Sequence, residues 1–477
     1  MLVVPIDLSD KRDAGQGVTT NRLCLGVGYS LTFCRYTHHQ QFMKHINQKL
    51  MTRRNFARTT ALTSIGVMAA GNIFGEEADK KGIGPVLGHI DENRIFTFVR
   101  APREGEIELI VTSGDSQEAA RLHGVAETEN DLCVRFKVSG LKPDTVYTGN
   151  FLDSKGRPLF EGAVFSARTP AKTKDIERVV LGMGSCVSSD KFDKIWGQIA
   201  AEKIEGFCLL GDSPYIDSND LAKNRSRRRA FWSTLPGLVK LQKKIPFWGT
   251  WDDHDFGKND SDGLMPKKRD IRKAFTEYSA LASYGENEEG IYTNFRRGPV
   301  EVWLLDDRWF SQTAQSFADP SQKTCLGEAQ WEWLKKSLRA SDAPFKMLCG
   351  GMVWYPKGNT EKDHWETYAA EREALFRFIK QEKIPGVMLV SGDIHVCRHH
   401  DYGSASLGYP LHEYVISPMH DKIIPSLDVK HPARKWSETA KNVFLKVDAT
   451  KEKLVATWTD MNGLKRYTTE VEAADLS

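Results

Sequence analysis

Gly206-Phe207-Cys208-Leu209-Leu210-Gly211-Asp212-Ser213-Pro214-Tyr215 is a short apolar run that stops at a glycine and a carboxylate. A run of that length, bounded by turn residues, reads as a strand buried on both faces, the kind that α/β layers use. The pattern recurs. Arg178 to Met183 leads into Gly184-Ser185-Cys186, Ile245 to Thr250 into Trp251-Asp252-Asp253-His254-Asp255, and Val387 to Val390 into Ser391-Gly392-Asp393-Ile394-His395. Val300 to Leu305 and Phe345 to Cys349 are further runs of this kind, and Glu328 to Ala340 carries Trp331, Leu334 and Leu338 at helical spacing. Residues 174–470 therefore read as an α/β body of mixed sheets flanked by helices.

N-terminal to that body the period changes. Ile95 to Val99, Glu106 to Val111, Leu132 to Val138 and Thr145 to Phe151 are short alternating runs broken by turn residues, which predicts an all-β sandwich over residues 84–170. Gly140-Leu141-Lys142-Pro143-Asp144-Thr145-Val146-Tyr147 resembles the tyrosine corner of fibronectin type III-like domains, giving Tyr147 a structural role. Thr169-Pro170-Ala171 reads as a linker. A chain of 477 residues has room for two such cores behind a leader.

The leader is read at Thr52-Arg53-Arg54-Asn55-Phe56, followed by the uncharged run Ala61 to Gly75 and the pair Glu76-Glu77. A basic start and a moderate apolar stretch match a twin-arginine export signal, so residues 51–80 predict a folded, exported protein handled by the twin-arginine machinery, with a periplasmic or extracellular destination. Met51 is then a candidate start, and residues 1–50 an extension that is disordered or not native to the protein. No stretch is long and apolar enough for a transmembrane anchor. Lys+Arg 66 against Asp+Glu 63 gives a net charge of +3, too little bias to argue for a nucleic-acid or anionic-membrane partner. The densest basic run, Arg225, Arg227, Arg228 and Arg229, reads as a solvated helix face. Eight cysteines without CxxC spacing predict neither a zinc ribbon nor a disulfide scaffold. Most read as buried small hydrophobes, Cys186 excepted.

The chemistry lies in the four polar clusters that follow the strand-like runs. Open α/β sheets place their sites at strand C-terminal ends, so these loops can converge on one crevice. A single Gly-Asp after a strand is an ordinary turn, whereas four clusters bringing carboxylate, imidazole, phenol and thiol are poorly explained as independent turns. Carboxylate and imidazole suit hard or borderline cations, and phenolate with thiolate adds donors suited to iron. A two-metal site of this composition hydrolyses phosphate esters by clamping phosphoryl oxygens and lowering the pKa of a bound water.

With Gly-Asp-x-x-Tyr, Thr-Trp-Asp-Asp-His-Asp and Ser-Gly-Asp-x-His in this order, behind a twin-arginine leader and a β-sandwich, the sequence resembles the alkaline phosphatase D family of metallophosphatases. Phe256-Gly257-Lys258-Asn259-Asp260, Leu304-Leu305-Asp306-Asp307-Arg308 and Leu326-Gly327-Glu328-Ala329-Gln330-Trp331 also look like family segments. The resemblance implies Fe3+ held by Cys186, Tyr215 and His395, a bridging Asp212, and Ca2+ held by Asp393 with Asp253 or Asn259. It implies His254 as the group that steadies or protonates the leaving oxygen. The substrate is expected to be a small phosphate mono- or diester.

Each residue has a plainer alternative. Tyr215 could be a packed aromatic, Cys186 a buried apolar side chain, Asp252 an aspartate that orients a ligand, and Asn259 a cap. Arg308 could bind substrate phosphate or pair with Asp306 or Asp307. His399, His400, His412 and His420 are spare imidazoles near the last motif, none with a compelling spacing. Ser213-Pro214 departs from the family pattern at the substrate floor, and Glu361, Asp363, His364 and Trp365 fall in a lid-side loop. A phosphodiesterase directed at phospholipid or nucleic acid, and a cell-surface binding protein with a vestigial site, are the competing functions.

Overall fold

The computed structural model describes residues 81–477. The expected extension, leader and candidate start at Met51 lie outside the described residues. The described residues form one compact unit.

Strands Ile83–Asp91 (β1), Arg94–Arg100 (β2), Gly105–Ser113 (β3), Glu118–Ala126 (β4), Cys133–Ser139 (β5), Val146–Asp153 (β6) and Val164–Arg168 (β7) form the N-terminal part. They make two antiparallel sheets, ordered β1-β2-β5 and β4-β3-β6-β7. Alternation carries the packing: Ile107, Leu109 and Val111 point into a shared core with Phe136, Phe151 and Phe165. The Tyr147 hydroxyl accepts from Lys142 N at 2.9 Å, tying strand to bend. Thr169 is fully buried and donates its hydroxyl to Lys142 O at 2.6 Å, so the chain leaves the sandwich pinned to it.

Strands Arg178–Gly184 (β8), Gly206–Leu210 (β9), Phe247–Thr250 (β10), Thr293–Arg297 (β11), Val300–Leu304 (β12), Phe345–Cys349 (β13), Val387–Ser391 (β14), Cys397–Asp401 (β15), His412–Val415 (β16), Arg434–Glu438 (β17), Val443–Thr450 (β18), Lys453–Asp460 (β19) and Lys465–Glu472 (β20) build the body. The body also carries helices Lys194–Ala201 (α1), Leu221–Thr234 (α2), Pro236–Leu241 (α3), Asp253–Phe256 (α4), Lys268–Glu277 (α5), Gly327–Ala340 (α6) and Ala369–Gln381 (α7). A six-stranded sheet runs β10-β9-β8-β18-β19-β20 and a seven-stranded sheet β11-β12-β13-β14-β16-β15-β17. Within them β8, β9 and β10 pair in parallel, as do β12, β13, β14 and β16, while the remaining pairings are antiparallel. Every residue of β9, β13 and β14 is buried, as expected for strands covered on both faces. Side chains of both sheets, among them Leu181, Leu210, Val302, Met347 and Leu389, share one core with Trp331, Leu334 and Leu338 of α6. Among the described residues no helix is long and apolar enough to cross a membrane.

Of the basic run on α2, only Arg227 is a solvated residue. Arg229 donates to both Asp131 carboxylate oxygens at 2.7 Å, Arg225 pairs with Glu277 at 2.6 Å and Arg228 is buried. Asp131 belongs to the sandwich, so this run clamps sandwich to body. Phe98 packs edge-on against Trp232 and Tyr278, and His89 N donates to Ala280 O at 2.8 Å across the same seam.

Candidate metal centre

Six loops meet at the C-terminal ends of the parallel strands: those after β8, β9, β10, β13, β14 and β16. Side chains there that sit on left-handed backbone include Cys186 at φ 55°, Asp212 at 51°, Asp393 at 65° and His395 at 54°. A non-glycine residue held there costs on the order of 1 kcal/mol or more, and such outliers gather where a side chain must be aimed. Close loop contact enforces the aim: a Cβ on Gly392 would lie 2.6 Å from Ser185 Oγ, and one on Gly351 2.4 Å from Asp252 Cγ.

Cys186 is fully buried. Its Sγ accepts from Ser417 Oγ at 3.1 Å and lies 3.5 Å from Asp212 Oδ2. Burial pushes its thiol up, and the Asp212 carboxylate adds to this. Asp212 is itself pushed well up by burial and then by Asp253, and its Oδ1 is buried with no hydrogen-bond partner. The Tyr215 hydroxyl lies 2.8 Å from His395 Nε2 and 3.2 Å from His420 Nε2. Burial pushes His395 down to about 3, so its imidazole is neutral, and its buried Nδ1 has no partner.

Cys186, Asp212 and His395 each present a donor atom within 4.8 Å of the others, as do Asp212, Asp253 and His254, and Asp253, Asp260 and Asp363. A thiol, an orphaned carboxylate oxygen and a neutral imidazole buried together are costly alone and are resolved by a shared cation. The donor set thus fits a metal on the Cys186–Tyr215–His395 side, with Asp212 common to two of the groups.

His254 is half-buried, with Nδ1 2.5 Å from Asp217 Oδ1 and its ring 4.9 Å from that of Tyr215. Burial lowers its pKa, but the Asp212 and Asp253 carboxylates and the Asp217 bond outweigh this and hold it at about 9. Asp253 accepts from His254 N at 2.9 Å and from Asp260 N at 2.7 Å. Asp255 supports that turn by accepting from Asp252 N at 2.5 Å and Ser213 N at 3.3 Å.

Two expected site residues lie elsewhere. Asn259 is exposed, and the carboxylate gathered beside Asp253 belongs to its neighbour Asp260. Arg308 is 0% exposed, with its guanidinium taken up by other side chains. Its Nε donates to Asp252 Oδ1 at 2.7 Å, Nη2 bonds Asp252 and Asp363 Oδ2, the latter at 3.2 Å, and Nη1 reaches Ser261 O at 3.2 Å. Of the suggested alternative partners, the Asp307 carboxylate comes to 3.9 Å of Arg308 Nε, and Asp306 Oδ1 accepts from Arg308 N at 3.2 Å and from Trp251 Nε1 rather than from the guanidinium. Asp252 is thus bonded to Arg308.

His420 is the residue that spacing alone left undecided. Its Nδ1 accepts from Lys422 N at 2.9 Å, so the neutral ring carries its proton on Nε2 and donates toward the Tyr215 oxygen. The signal was the end of β16, whose His412 and Glu413 disguise a buried strand.

The PhoD-like phosphatase family model matches residues 182–453, a span that contains every one of these donors. Alkaline phosphatase D of Bacillus subtilis (strain 168) is 23% identical over 318 residues, covering 55% of this chain and 53% of the relative. The chain thus spans about half the length of that curated relative. Among solved structures, one described as the structure of PhoD superposes with TM-score 0.68 at 18% identity, over 82% of this chain and 90% of the other. The purple acid phosphatase PPD1 from yellow lupin (Lupinus luteus) seeds gives 0.60 at 12% identity, over 82% and 74%.

Proposed function

Because this chain belongs to the PhoD-like phosphatase family, we propose that it hydrolyses phosphate mono- or diesters at a metal centre built on Asp212. The observation that carries this reading is the buried, unpartnered Asp212 Oδ1 between Cys186 and the Asp253–His254 pair. Cys186, Tyr215 and His395 would hold the iron-like position, and Asp253 and Asp393 a second, calcium-like one. Bound there, such ions supply Lewis-acid polarisation of the phosphoryl oxygens and a water of lowered pKa.

The chain's own residues do the rest. His254 Nε2 donates a proton to the leaving oxygen while Asp217 holds its Nδ1 and keeps the ring charged near neutral pH. His420 Nε2–H steadies the Tyr215 oxygen, and Ser417 Oγ–H does the same for the Cys186 sulfur, favouring the deprotonated forms that bind metal. Export by the twin-arginine route, to the periplasm or beyond, is supported by the Arg53-Arg54 motif and belongs to the same proposal.

Elemental analysis combined with hydrolysis of p-nitrophenyl phosphate and its bis ester tests it. The purified protein should contain iron, and Asp212→Ala should lose iron and at least about a thousandfold in kcat/KM. Wild-type hydrolysis by Asp212→Ala would sink the catalytic reading.

A further inference from the structure

Lys357, in the loop after β13, is 1% exposed. Its Nζ lies 2.5 Å from Asp393 Oδ2, 2.6 Å from Asp363 Oδ1 and 3.4 Å from Glu361 Oε2. Asp393 is the carboxylate that should hold the second ion, and the ammonium already stands against it at a distance typical of calcium–oxygen contacts. Asp363 links this ammonium to Arg308 and also faces Asp253 and Asp260, so Lys357 reaches the edge of the second carboxylate group.

The lysine is held there by its loop. Gly358, at φ +89°, lies so close to Val429 that an added Cβ would come within 2.0 Å of its Cγ1. Tyr355 stacks on Tyr402 with centroids 4.1 Å apart, Trp354 stacks on Trp365 at 4.4 Å, and Trp365 N donates to Val353 O at 3.0 Å. A chain so anchored presents Lys357 to Asp393 as a fixed part of the site.

We infer that the Lys357 ammonium is the resident positive charge at the second position, so that the centre holds one metal tightly on its Cys186 side and takes a divalent ion beside Asp393 only weakly. A fixed unit charge in contact with the same carboxylate opposes a calcium ion by repulsion and by occupying its ligand. Removing that charge should strengthen calcium binding by about tenfold or more. This rests on the metal-centre reading above.

The test is calorimetric calcium titration of the iron-loaded full chain, wild type against Lys357→Met and Lys357→Arg, with iron measured in the same samples. Wild type should bind calcium weakly, Lys357→Met about tenfold or more tighter, and Lys357→Arg like wild type. Two results overturn the inference alone: iron present with calcium affinity unchanged or weaker in Lys357→Met, or wild type taking one calcium per chain at micromolar concentration. The second needs no variant to fold. Absence of iron from every sample would instead remove the metal-centre reading, and this inference with it.

Discussion

Replacing Arg308 with methionine should destabilise the body rather than weaken substrate binding. Arg308 is 0% exposed and makes two bonds to Asp252, one to Asp363 and one to Ser261 O. Methionine fills a similar volume but leaves Asp252, whose Oδ2 already lacks a partner, as an uncompensated buried charge. Breaking a buried pair in this way costs about 3–5 kcal/mol. At about 2 °C per kcal/mol for a large folding unit, thermal unfolding should shift down by roughly 6–10 °C. A cycle with Asp252→Asn separates pairing from packing: the double variant should lose less than the two single losses together, by about 1 kcal/mol or more. Scanning calorimetry and p-nitrophenyl phosphate kinetics on the same samples give both readouts. An unchanged melting temperature with a raised KM would refute the reasoning and return Arg308 to the substrate.

Asp217→Asn should move the alkaline limb of kcat/KM. In the proposed mechanism the His254 imidazolium is the donor, so activity should be present below its pKa and lost as pH rises through it; the Asp217 carboxylate raises that pKa, and neutralising it should lower the limb by about 0.5–1 unit. Cations bound at Asp212 and Asp253 would lower the starting value, which makes the shift between variant and wild type the quantity to measure; no shift would remove Asp217 from the role. Asp131→Ala should destabilise the whole unit by about 3 kcal/mol, because it removes the carboxylate that Arg229 and Tyr278 grip across the seam. Hydrogen exchange should then quicken in β2, β5 and α2 together, whereas quickening in the sandwich alone would mark it as a separable module.

What the sequence displayed was whatever depends on short runs. Gly206 to Leu210 and Phe345 to Cys349 coincide with β9 and β13 because a strand buried on both faces has to be apolar throughout. Polarity hid others. β15 reads Cys-Arg-His-His-Asp and β20 is largely exposed, yet both complete sheets through pairings that only the folded chain reveals. The clusters bearing Cys186, Asp212, Asp253, Asp393 and His395 were legible because each follows such a run directly. Arg308 was not, since its partner Asp252 is 56 positions away and nothing local distinguishes a phosphate-binding arginine from a brace. The same holds for Arg229, whose partner Asp131 lies 98 positions away in the sandwich.

Charge alternation explains why the inner donors in particular call for a metal. From the interior outward, Asp252, Arg308, Asp363, Lys357 and Asp393 form a chain in which each carboxylate touches a guanidinium or ammonium. Asp255 has the buried Arg228 as a neighbouring charge that pulls its pKa back down against burial. These side chains are compensated by the protein itself. Cys186, Asp212, Tyr215 and His395 contact hydroxyls, imidazoles, the Asp393 carbonyl and one another, and no Lys or Arg is paired with them among the described residues. A fold that supplies cations to every carboxylate of the outer chain pairs no Lys or Arg with the Cys186 thiol, and leaves Asp212 Oδ1 buried on left-handed backbone without a hydrogen-bond partner. From that asymmetry we expect the tight metal position on the Cys186 side, with iron lost from Cys186→Ser and Asp212→Ala but not from Lys357→Met.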